Sequence, residues 1–185
     1  MDMPARLPAA TPPADVTCLA HAARGGDIAA LGALYDCFAA MLYATAYRLC
    51  GNTEDAQDVV HDCFVGLPEA LRHYDERGRL DAWLRRVVVR LVLMRRRGAS
   101  RRREDAFDDD LQLAGRERTD ALAEHRDVQR AVAALPESLR DVFILKQVEG
   151  YRHDEIATLL GITEGASRVR LTRAVDALRR ALVER

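Results

Sequence analysis

Basic and hydroxyl side chains crowd one short stretch near the C-terminal end of the 185-residue chain. Arginine forms paired hydrogen bonds with guanine or ion pairs with phosphate, and threonine can bond with either partner. Side chains of these types at one end of a helix therefore have the chemistry of duplex DNA binding. The alternative is a solvated cationic face on an ordinary packed helix. The residues are Arg168, Arg170, Thr172 and Arg173.

Three apolar-periodic segments with short gaps position these side chains. The first covers 139–148 and stops before Gly150, and the second covers 154–160 and stops before Gly161. The third starts behind Thr163, whose side chain can cap the helix. A short helix, a turn at a glycine that tolerates left-handed backbone and a longer helix predict a helix-turn-helix.

Many positions in and around this motif match a known family: Leu135-Pro136, Val148-Glu149-Gly150, Glu155-Ile156-Ala157, Leu160-Gly161-Ile162, Gly165, Arg168, Arg170-Leu171 and Arg173-Ala174. The stretch resembles region 4 of the extracytoplasmic-function sigma factors, a bacterial branch of the sigma-70 family. In that family, region 4 reads the −35 element of promoters. The resemblance implies −35 DNA contacts by Arg168, Val169, Thr172 and Arg173, with Thr163 and Arg170 at phosphates.

Two departures from the family pattern affect these contacts. Ala166-Ser167 stands where the family usually has Thr-Val, and Val169 stands where it has Ser. Val169 cannot hydrogen-bond a base edge, although it can contact a thymine methyl group. The resemblance therefore leaves the base preference of this helix open.

A predicted helix that starts at Asn52 or Thr53 has an apolar face and an acidic face. Its acids can be an ordinary solvated face near the positive end of the helix dipole. The stretch 55–64 nevertheless resembles the family's region 2.2, which docks on the clamp helices of the RNA polymerase β′ subunit. The resemblance implies polymerase binding by Asp55, Gln57, Asp58, His61 and Asp62.

The residues after that helix depart from the family. Leu67-Pro68 stands where an Ala-Trp pair is usual. Proline lacks an amide hydrogen and crowds the preceding turn. We therefore predict a kink near Gly66 and a short helical continuation over 68–73.

A polar loop over 74–80 leads to Asp81, a predicted N-cap, and to a further helix. The order of an aromatic residue, a polar loop and Leu-x-x-Trp-Leu resembles region 2.3, where the −10 element is melted. Trp83, the only tryptophan, can be a core anchor or a stacking surface, and Tyr74 is the better stacking candidate. Arg90 stands where the family often has Asn. The resemblance implies −10 contacts by Tyr74, Arg77, Arg79, Trp83, Arg86 and Arg90.

The charges are segregated along the chain although the formal net charge is only −1. Residues 85–103 contain nine arginines and no acid, whereas residues 104–127 contain nine acids and three arginines. Like charges at helical neighbours repel unless a polyanion offsets them, so the basic stretch favours contact with the DNA backbone. We expect the second arginine triplet, at 101–103, to fray beyond the helix.

No catalytic or cofactor motif is present: there is no Gly-rich phosphate loop, HExxH, GxSxG or Cys-His pairing. We expect no enzyme activity, cofactor or small-molecule substrate. The four cysteines lack CxxC spacing and indicate buried cytosolic thiols, with a zinc site that uses His21 or His61 as the alternative. No apolar run approaches a membrane span and no signal peptide opens the chain, so a cytoplasmic location is expected. The cysteines are Cys18, Cys37, Cys50 and Cys63.

The expected fold class is all-α, with two small helical domains joined by a flexible acidic linker. The expected divisions are a disordered tail at 1–14, region 2 at 15–103, the linker at 104–121 and region 4 at 122–185. In the resembled family the linker threads through polymerase near the RNA exit path; a simple solvating tether is the alternative.

The resemblance implies a sigma factor that binds core RNA polymerase, reads −35 and −10 elements and helps to melt the −10 region. Its implied partners are the β′ clamp helices and β flap of the polymerase, promoter DNA and an anti-sigma factor. The alternative is a helix-turn-helix repressor or response-regulator output protein that binds duplex DNA as a dimer without polymerase. A helical adaptor for another regulator is a third class.

Overall fold

The computed structural model describes residues 16–74, 79–105 and 123–183. Every regular element in these ranges is helical, which confirms the all-α prediction. We call 16–105 the N-terminal domain and 123–183 the C-terminal domain. The predicted tail and nearly all of the predicted linker lie outside the described residues. The helices are α1 Val16–Arg24, α2 Ile28–Cys50, α3 Thr53–Val65, α4 Leu67–Ala70, α5 Leu80–Asp105, α6 Ala123–Ala133, α7 Glu137–Phe143, α8 His153–Leu160 and α9 Glu164–Val183, and a π-helix at Ile144–Val148 continues α7.

Side chains cap the starts of α2 and α3. The Asp27 carboxylate accepts hydrogen bonds from the backbone N–H groups of Ala29 and Ala30, at 2.8 and 3.1 Å. Asn52, rather than Thr53, caps α3 because its side-chain oxygen accepts from the backbone N–H of Asp55 at 2.8 Å. These bonds satisfy backbone donors that a helix start leaves without partners.

The predicted break after α3 is confirmed. Helix α3 ends at Val65, Gly66 forms a bend, and the chain continues as α4 with Pro68 in its first turn. A 3₁₀ turn at Leu71–His73 completes the short continuation. Proline is tolerated at this position because the first amides of a helix have no partner within it.

Two predictions about α5 were wrong. The helix begins at Leu80, so Asp81 lies in its first turn instead of capping it. The helix also continues to Asp105, so residues 101–103 are helical and not frayed. Arginine has a high helix propensity, which explains why the second triplet extends the helix.

Helix α2 is the centre of the N-terminal domain and packs against α1, α3 and α5. Two large apolar residues of α2 are exposed: Ile28 at 83% and Tyr35 at 49%. Ile28 is the first residue of the helix, and Tyr35 lies at its edge against the ring of Phe64. The fully buried side chains between these helices include Leu34, Leu42, Leu49, Val59, Leu84, Val88 and Val92.

Helix α2 also corrects the expectation about membrane spans. By length and composition alone, Ile28–Cys50 could cross a bilayer, although the sequence was interpreted as having no such run. The core helix of a soluble protein can have the same length and apolar composition as a membrane span. Three neighbouring helices pack against α2 and bury Ala30, Leu34, Phe38, Leu42, Ala46 and Leu49.

The C-terminal domain contains the predicted helix-turn-helix. Helix α8 ends at Gly161, which has the left-handed conformation with φ of 66°. The Thr163 hydroxyl then accepts a hydrogen bond from the backbone N–H of Ala166 at 3.1 Å, and α9 follows. Ser167, which replaces the family's usual Val, is fully buried, and its hydroxyl lies 2.9 Å from Nδ1 of His153. A partner on α8 therefore satisfies the unusual polar residue.

The two domains pack directly against each other, a feature that the sequence did not predict. One continuous apolar cluster contains the N-terminal core and also five buried residues of the C-terminal domain. A second, smaller cluster of Leu135, Ala174 and Leu178 joins α6 and α7 to α9. The five residues in the shared cluster are Val142, Ile144, Leu145, Tyr151 and Ile156.

The cysteines differ in burial. Cys63 is buried, Cys37 and Cys50 are half-buried, and Cys18 is exposed, so the prediction of buried thiols fails at Cys18. Burial raises the pKa of the Cys63 thiol to about 11. Burial also raises the pKa of Cys50 to about 11, with the nearby charge of Arg96 acting against it.

We expect Gly161→Ala to lower the free energy of unfolding by about 1–2 kcal/mol, because an L side chain is strained at positive φ. The matched control is Gly98→Ala in the interior of α5, where an added Cβ meets nothing within 4 Å. That control should raise the free energy of unfolding by about 0.5–1 kcal/mol. Urea unfolding measures both, and an unchanged or more stable Gly161→Ala protein would contradict the assigned turn.

Alkylation with iodoacetamide at pH 8 should modify Cys18 well before Cys63. A thiol whose pKa rises from 9.0 to about 11 holds about a hundredfold less thiolate at that pH, and Cys63 is also sterically covered. Folding raises this pKa, so the folded protein favours the protonated Cys63 thiol. The contribution of this thiol to the free energy of unfolding is therefore fully present below pH 9.0 and is lost as the pH rises through about 11. Mass spectrometry of native and urea-unfolded protein checks the order. Equal labelling rates in the native protein would show that the α3 core is open.

Candidate nucleic-acid interfaces

The N-terminal half of α9 presents a solvent-facing surface of the residue types expected for DNA contact. Arg168, Val169, Thr172 and Arg173 are exposed, and their spacing places them on adjoining stripes of the helix. Arg170 is half-buried and lies to one side of this surface. The structure therefore brings together the four residues predicted at −35 bases and separates Arg170 from them.

Two of these four side chains are engaged within the helix. The Arg168 guanidinium forms an ion pair with Glu164, one turn earlier. The Thr172 hydroxyl donates to the backbone carbonyl of Arg168 at 3.2 Å. Both are exposed local contacts of small net energy, so a nucleic acid can replace them at little cost.

Helix α5 carries a second cationic surface. Arg79 precedes the helix, and Trp83, Arg86 and Arg90 follow at spacings of four, three and four residues. Residues with these spacings share one face of a helix. Arg79, Arg86 and Arg90 are exposed, and Arg79 donates two hydrogen bonds to Asp81 at 3.1 and 2.8 Å. We call these four residues the α5 stripe.

An aromatic pair lies at the start of the α5 stripe. The rings of Tyr74 and Trp83 are tilted by 53° with centroids 5.1 Å apart. Both side chains are half-buried and pack against the apolar core. Trp83 therefore packs on the core as an anchor would, while the side chain remains partly exposed, as a stacking surface requires. Arg77, also predicted here, lies outside the described residues.

The predicted polymerase-binding residues lie on the outer face of α3. Asp55, Gln57, Asp58, His61 and Asp62 are all exposed. Asp58 and Asp62 lie against Arg95 of α5, whereas Gln57 and His61 line a groove of about 490 Å³ between α2 and α3. The remaining groove residues are Tyr35, Ala39, Ala40, Tyr43 and Val60. The outer face therefore has an acidic side and an aromatic-lined side.

Arg95, which lies in the stretch predicted to contact the DNA backbone, instead organises the acidic side of α3. Its Nε donates to Asp62 at 3.1 Å, and its Nη1 lies 3.4 Å from Asp58. Burial alone would lower the pKa of Arg95, but the hydrogen bonds and charges of Asp62 and Asp58 raise it. The two carboxylates are held in place by α5. Only a contact between distant segments of the chain reveals this role, so the sequence gives no local signal for it.

A polar cleft of about 270 Å³ lies between the two domains. One wall is the start of α5, and the other wall is the loop before α8. Among the described residues, no group of three or more His, Cys, Asp or Glu side chains is placed to hold a metal ion. The cleft is lined by Arg79, Asp81, Ala82, Arg85, Arg86, Glu149, Gly150, Tyr151 and Glu155.

Family models match both domains. The model for sigma-70 region 2 matches residues 34–102, which cover most of α2 to α5. The model for sigma-70 region 4 matches residues 125–178, which include the helix-turn-helix. Each of the three candidate surfaces lies within one of these two matches.

Three relatives share much of the chain. SigL of Mycobacterium tuberculosis is 32% identical over 168 residues, which cover 88% of this chain and 94% of SigL. SigW of Bacillus subtilis is 25% identical over 174 residues, which cover 85% of this chain and 91% of SigW. SigE of Mycolicibacterium smegmatis is 32% identical over 146 residues; they cover 75% of this chain but only 56% of SigE. All three are named ECF RNA polymerase sigma factors.

Two solved structures have the same fold. The sigma factor RpoE of Bartonella quintana, in complex with the anti-sigma factor NepR, aligns with a TM-score of 0.57 and 22% identity over 77% of this chain and 89% of RpoE. CnrH, in complex with the cytosolic domain of CnrY, aligns with a TM-score of 0.54 and 26% identity over 90% of this chain and 96% of CnrH. With SigL matched over nearly its whole length, the chain belongs to the extracytoplasmic-function family of sigma-70 factors.

Proposed function

We propose that this sigma factor divides promoter recognition between its two cationic surfaces. The α9 surface contacts the −35 element as duplex, and the α5 stripe contacts the −10 element as a separated strand. The observation that carries the proposal is the placement of two solvent-facing arginine surfaces on two domains, each matched by the corresponding sigma region. The net charge of −1 is compatible with DNA binding, because the DNA is attracted by the local electric field of each arginine surface and not by the total charge of the chain.

Recognition of the −10 element follows from a difference in affinity between the separated DNA strand and the duplex. The α5 stripe supplies cations for phosphates, and the Tyr74–Trp83 pair supplies partly exposed rings for an unstacked base. A base inside the duplex cannot reach these rings, so the stripe binds the opened strand more tightly than the duplex. The protein then shifts the equilibrium toward melted DNA by binding alone. The covalent chemistry of transcription belongs to the polymerase.

Recognition at −35 uses the helix-turn-helix. In such motifs the N-terminal half of the second helix enters the major groove. Arg173 and Arg168 can each bond with a guanine edge, Val169 can contact a thymine methyl group, and Thr163 and Arg170 can contact phosphates. The exposure of Val169, at 50%, supports its place at the groove.

Core RNA polymerase is the proposed partner of the outer face of α3. The exposed acids and the groove beside Gln57 and His61 together give a surface with both charge and apolar area. We assign the acids and the groove to the β′ clamp helices and the C-terminal domain to the β flap. An anti-sigma factor is a further proposed partner, since the similar RpoE structure is bound to one. These partners place the protein in the cytoplasm.

The helix-turn-helix repressor is not favoured as an alternative. A repressor needs a DNA-reading helix and a dimer contact, and it has no use for the α5 stripe or the outer face of α3. The matches to both sigma regions in one chain explain all three surfaces.

Transcription with purified bacterial core polymerase on pooled genomic fragments tests the proposal. We expect transcripts whose start sites share upstream elements near −35 and −10, and whose production requires the added protein. Polymerase alone and protein alone are the controls. Duplex binding without any dependent transcript would contradict the proposal and support the repressor.

Arg173→Ala should lower the discrimination between −35 sequences by about 1–3 kcal/mol, because it removes a side chain able to bond bidentately with one base. Arg179→Ala is the matched control, since Arg179 is an exposed arginine on the same helix beyond the proposed groove contact. Binding to a randomised −35 library measures the preference. The control should leave the preference between −35 sequences unchanged; an unchanged preference in Arg173→Ala would remove Arg173 from the base contacts.

A further inference from the structure

A buried polar pair lies behind the exposed surface of α9. Ser167 is fully buried, although it directly precedes the exposed Arg168. Its Oγ lies 2.9 Å from Nδ1 of His153, the first residue of α8. Either the hydroxyl donates to an unprotonated ring nitrogen or a ring N–H donates to the hydroxyl, so a hydrogen bond forms in both cases. The two helices of the helix-turn-helix are therefore joined by a polar contact near the start of each helix.

Both members of this pair lie on anchored backbone. The backbone N–H of Arg152 donates to the Glu155 carboxylate at 2.8 Å, which fixes the start of α8 where His153 lies. The Thr163 hydroxyl accepts from the backbone N–H of Ala166 at 3.1 Å, which fixes the start of α9. A hydrogen bond between two fixed helix starts restrains the helices themselves and not only the two side chains.

The polar contacts on the outer side of α9 have no such reach. Arg168 pairs with Glu164, and Thr172 donates to the carbonyl of Arg168, so both contacts stay within the helix. The contact between Ser167 and His153 instead links positions 14 residues apart on two helices. It can therefore set the orientation of one helix on the other, which a contact inside one helix cannot do.

The apolar contacts between α8 and α9 leave this orientation less defined. Ile156 of α8 and Leu171 of α9 belong to the same apolar cluster. Such contacts are non-directional, so they hold the helices together and permit small rotations. A hydrogen bond has a preferred distance and angle, and a buried hydroxyl without a partner is costly. The bond between His153 and Ser167 therefore selects one rotation of α9 among those that the apolar contacts permit.

Small rotations of α9 matter for base contacts. A helix with its side chains has a radius of about 5–6 Å, so a rotation of about 20° moves its outer side chains by about 2 Å. Hydrogen bonds between N–H groups and oxygen cover a distance range of only about 0.5 Å. Arg168 and Arg173 lie on the same helix as Ser167 and turn with it. A rotation of this size would change which base edges the two arginines reach.

We propose that His153 and Ser167 are positioning residues for −35 recognition: their hydrogen bond sets the rotation of α9 on α8 and thereby determines which base edges the exposed arginines reach. This inference rests on the proposed function, because it concerns how the α9 surface reads the −35 element. Neither side chain belongs to the surface proposed to contact DNA. Valine, which the resembled family usually has at position 167, cannot form this bond, so the restraint depends on the serine of this chain.

Three single variants and one control test the bond. Ser167→Ala removes the hydroxyl, and His153→Leu removes the ring nitrogen while it keeps a large side chain. His153→Asn keeps a polar atom at the same number of bonds from the backbone as Nδ1, so it can restore the bond. Ser138→Ala is the matched control, because Ser138 is an exposed serine on α7 of the same domain.

The full chain in complex with core polymerase is selected on promoters with a randomised −35 element, and the bound sequences are counted. Ser167→Ala and His153→Leu should each lower the preference for the best sequence by about fivefold or more, which is the lower end of the discrimination that one bidentate arginine–base contact supplies. The double variant should lose no more than either single variant, because both remove the same bond. His153→Asn and Ser138→Ala should keep the wild-type preference.

A purely structural role of the pair predicts a different result. Loosened packing would weaken binding to all sequences alike, since phosphate contacts carry no sequence information. An unchanged preference in Ser167→Ala and His153→Leu would overturn the inference, whether or not the affinity falls. An equal loss of preference in His153→Asn and His153→Leu would also overturn it, because the bond would then not be the cause. Far-UV circular dichroism checks the fold of each variant, and if Ser167→Ala does not fold, the two His153 variants decide.

The same selection separates this inference from the proposed function. A wild-type complex without any −35 preference would contradict the proposed function, and this inference with it. A wild-type preference that both bond-removing variants retain would contradict the inference alone.

Discussion

Arginine–carboxylate pairing across helices is the interaction on which the arrangement of this chain depends. Arg95 joins α5 to the acids of α3, Arg96 joins α5 to Asp141 of α7, and Arg48 joins α2 to Glu149. The chain has 28 basic and 29 acidic residues, so most arginines can find a carboxylate within the molecule. On the two cationic surfaces, Arg168 pairs with Glu164 on its own helix and Arg79 pairs with the nearby Asp81. A polyanion can replace such exposed local pairs at little cost.

Local features of the fold were predictable from the sequence. Asp27, Asn52 and Thr163 cap helices, Pro68 follows a break, and Gly161 makes the turn, because each depends on a few neighbouring residues. The errors have a different origin. Helix α5 is longer than predicted because its arginines favour the helical conformation, a tendency that the charge pattern alone does not reveal.

The packing between domains was not predictable in the same way. The contacts of Glu149 with Thr45 and Arg48 join residues about a hundred positions apart, and no periodicity carries that information. The proposed contact residues on the surface are predicted from the family motif that marks them. Arg95, Arg96 and Glu149 have roles only in the folded chain, where they meet partners on other helices. Their own motifs give no sign of those partners.

One physical theme links the fold to promoter recognition: the cationic helix α5 pairs with a carboxylate of the C-terminal domain in this structure, and we propose that it pairs with the phosphates of DNA at a promoter. Hydrogen–deuterium exchange of the protein alone and in a promoter complex with polymerase tests this exchange of partners most directly. Amides over 144–151 should exchange faster in the complex, while those of α3 and of the N-terminal half of α9 become protected. Equal protection of 144–151 in both states would contradict the account.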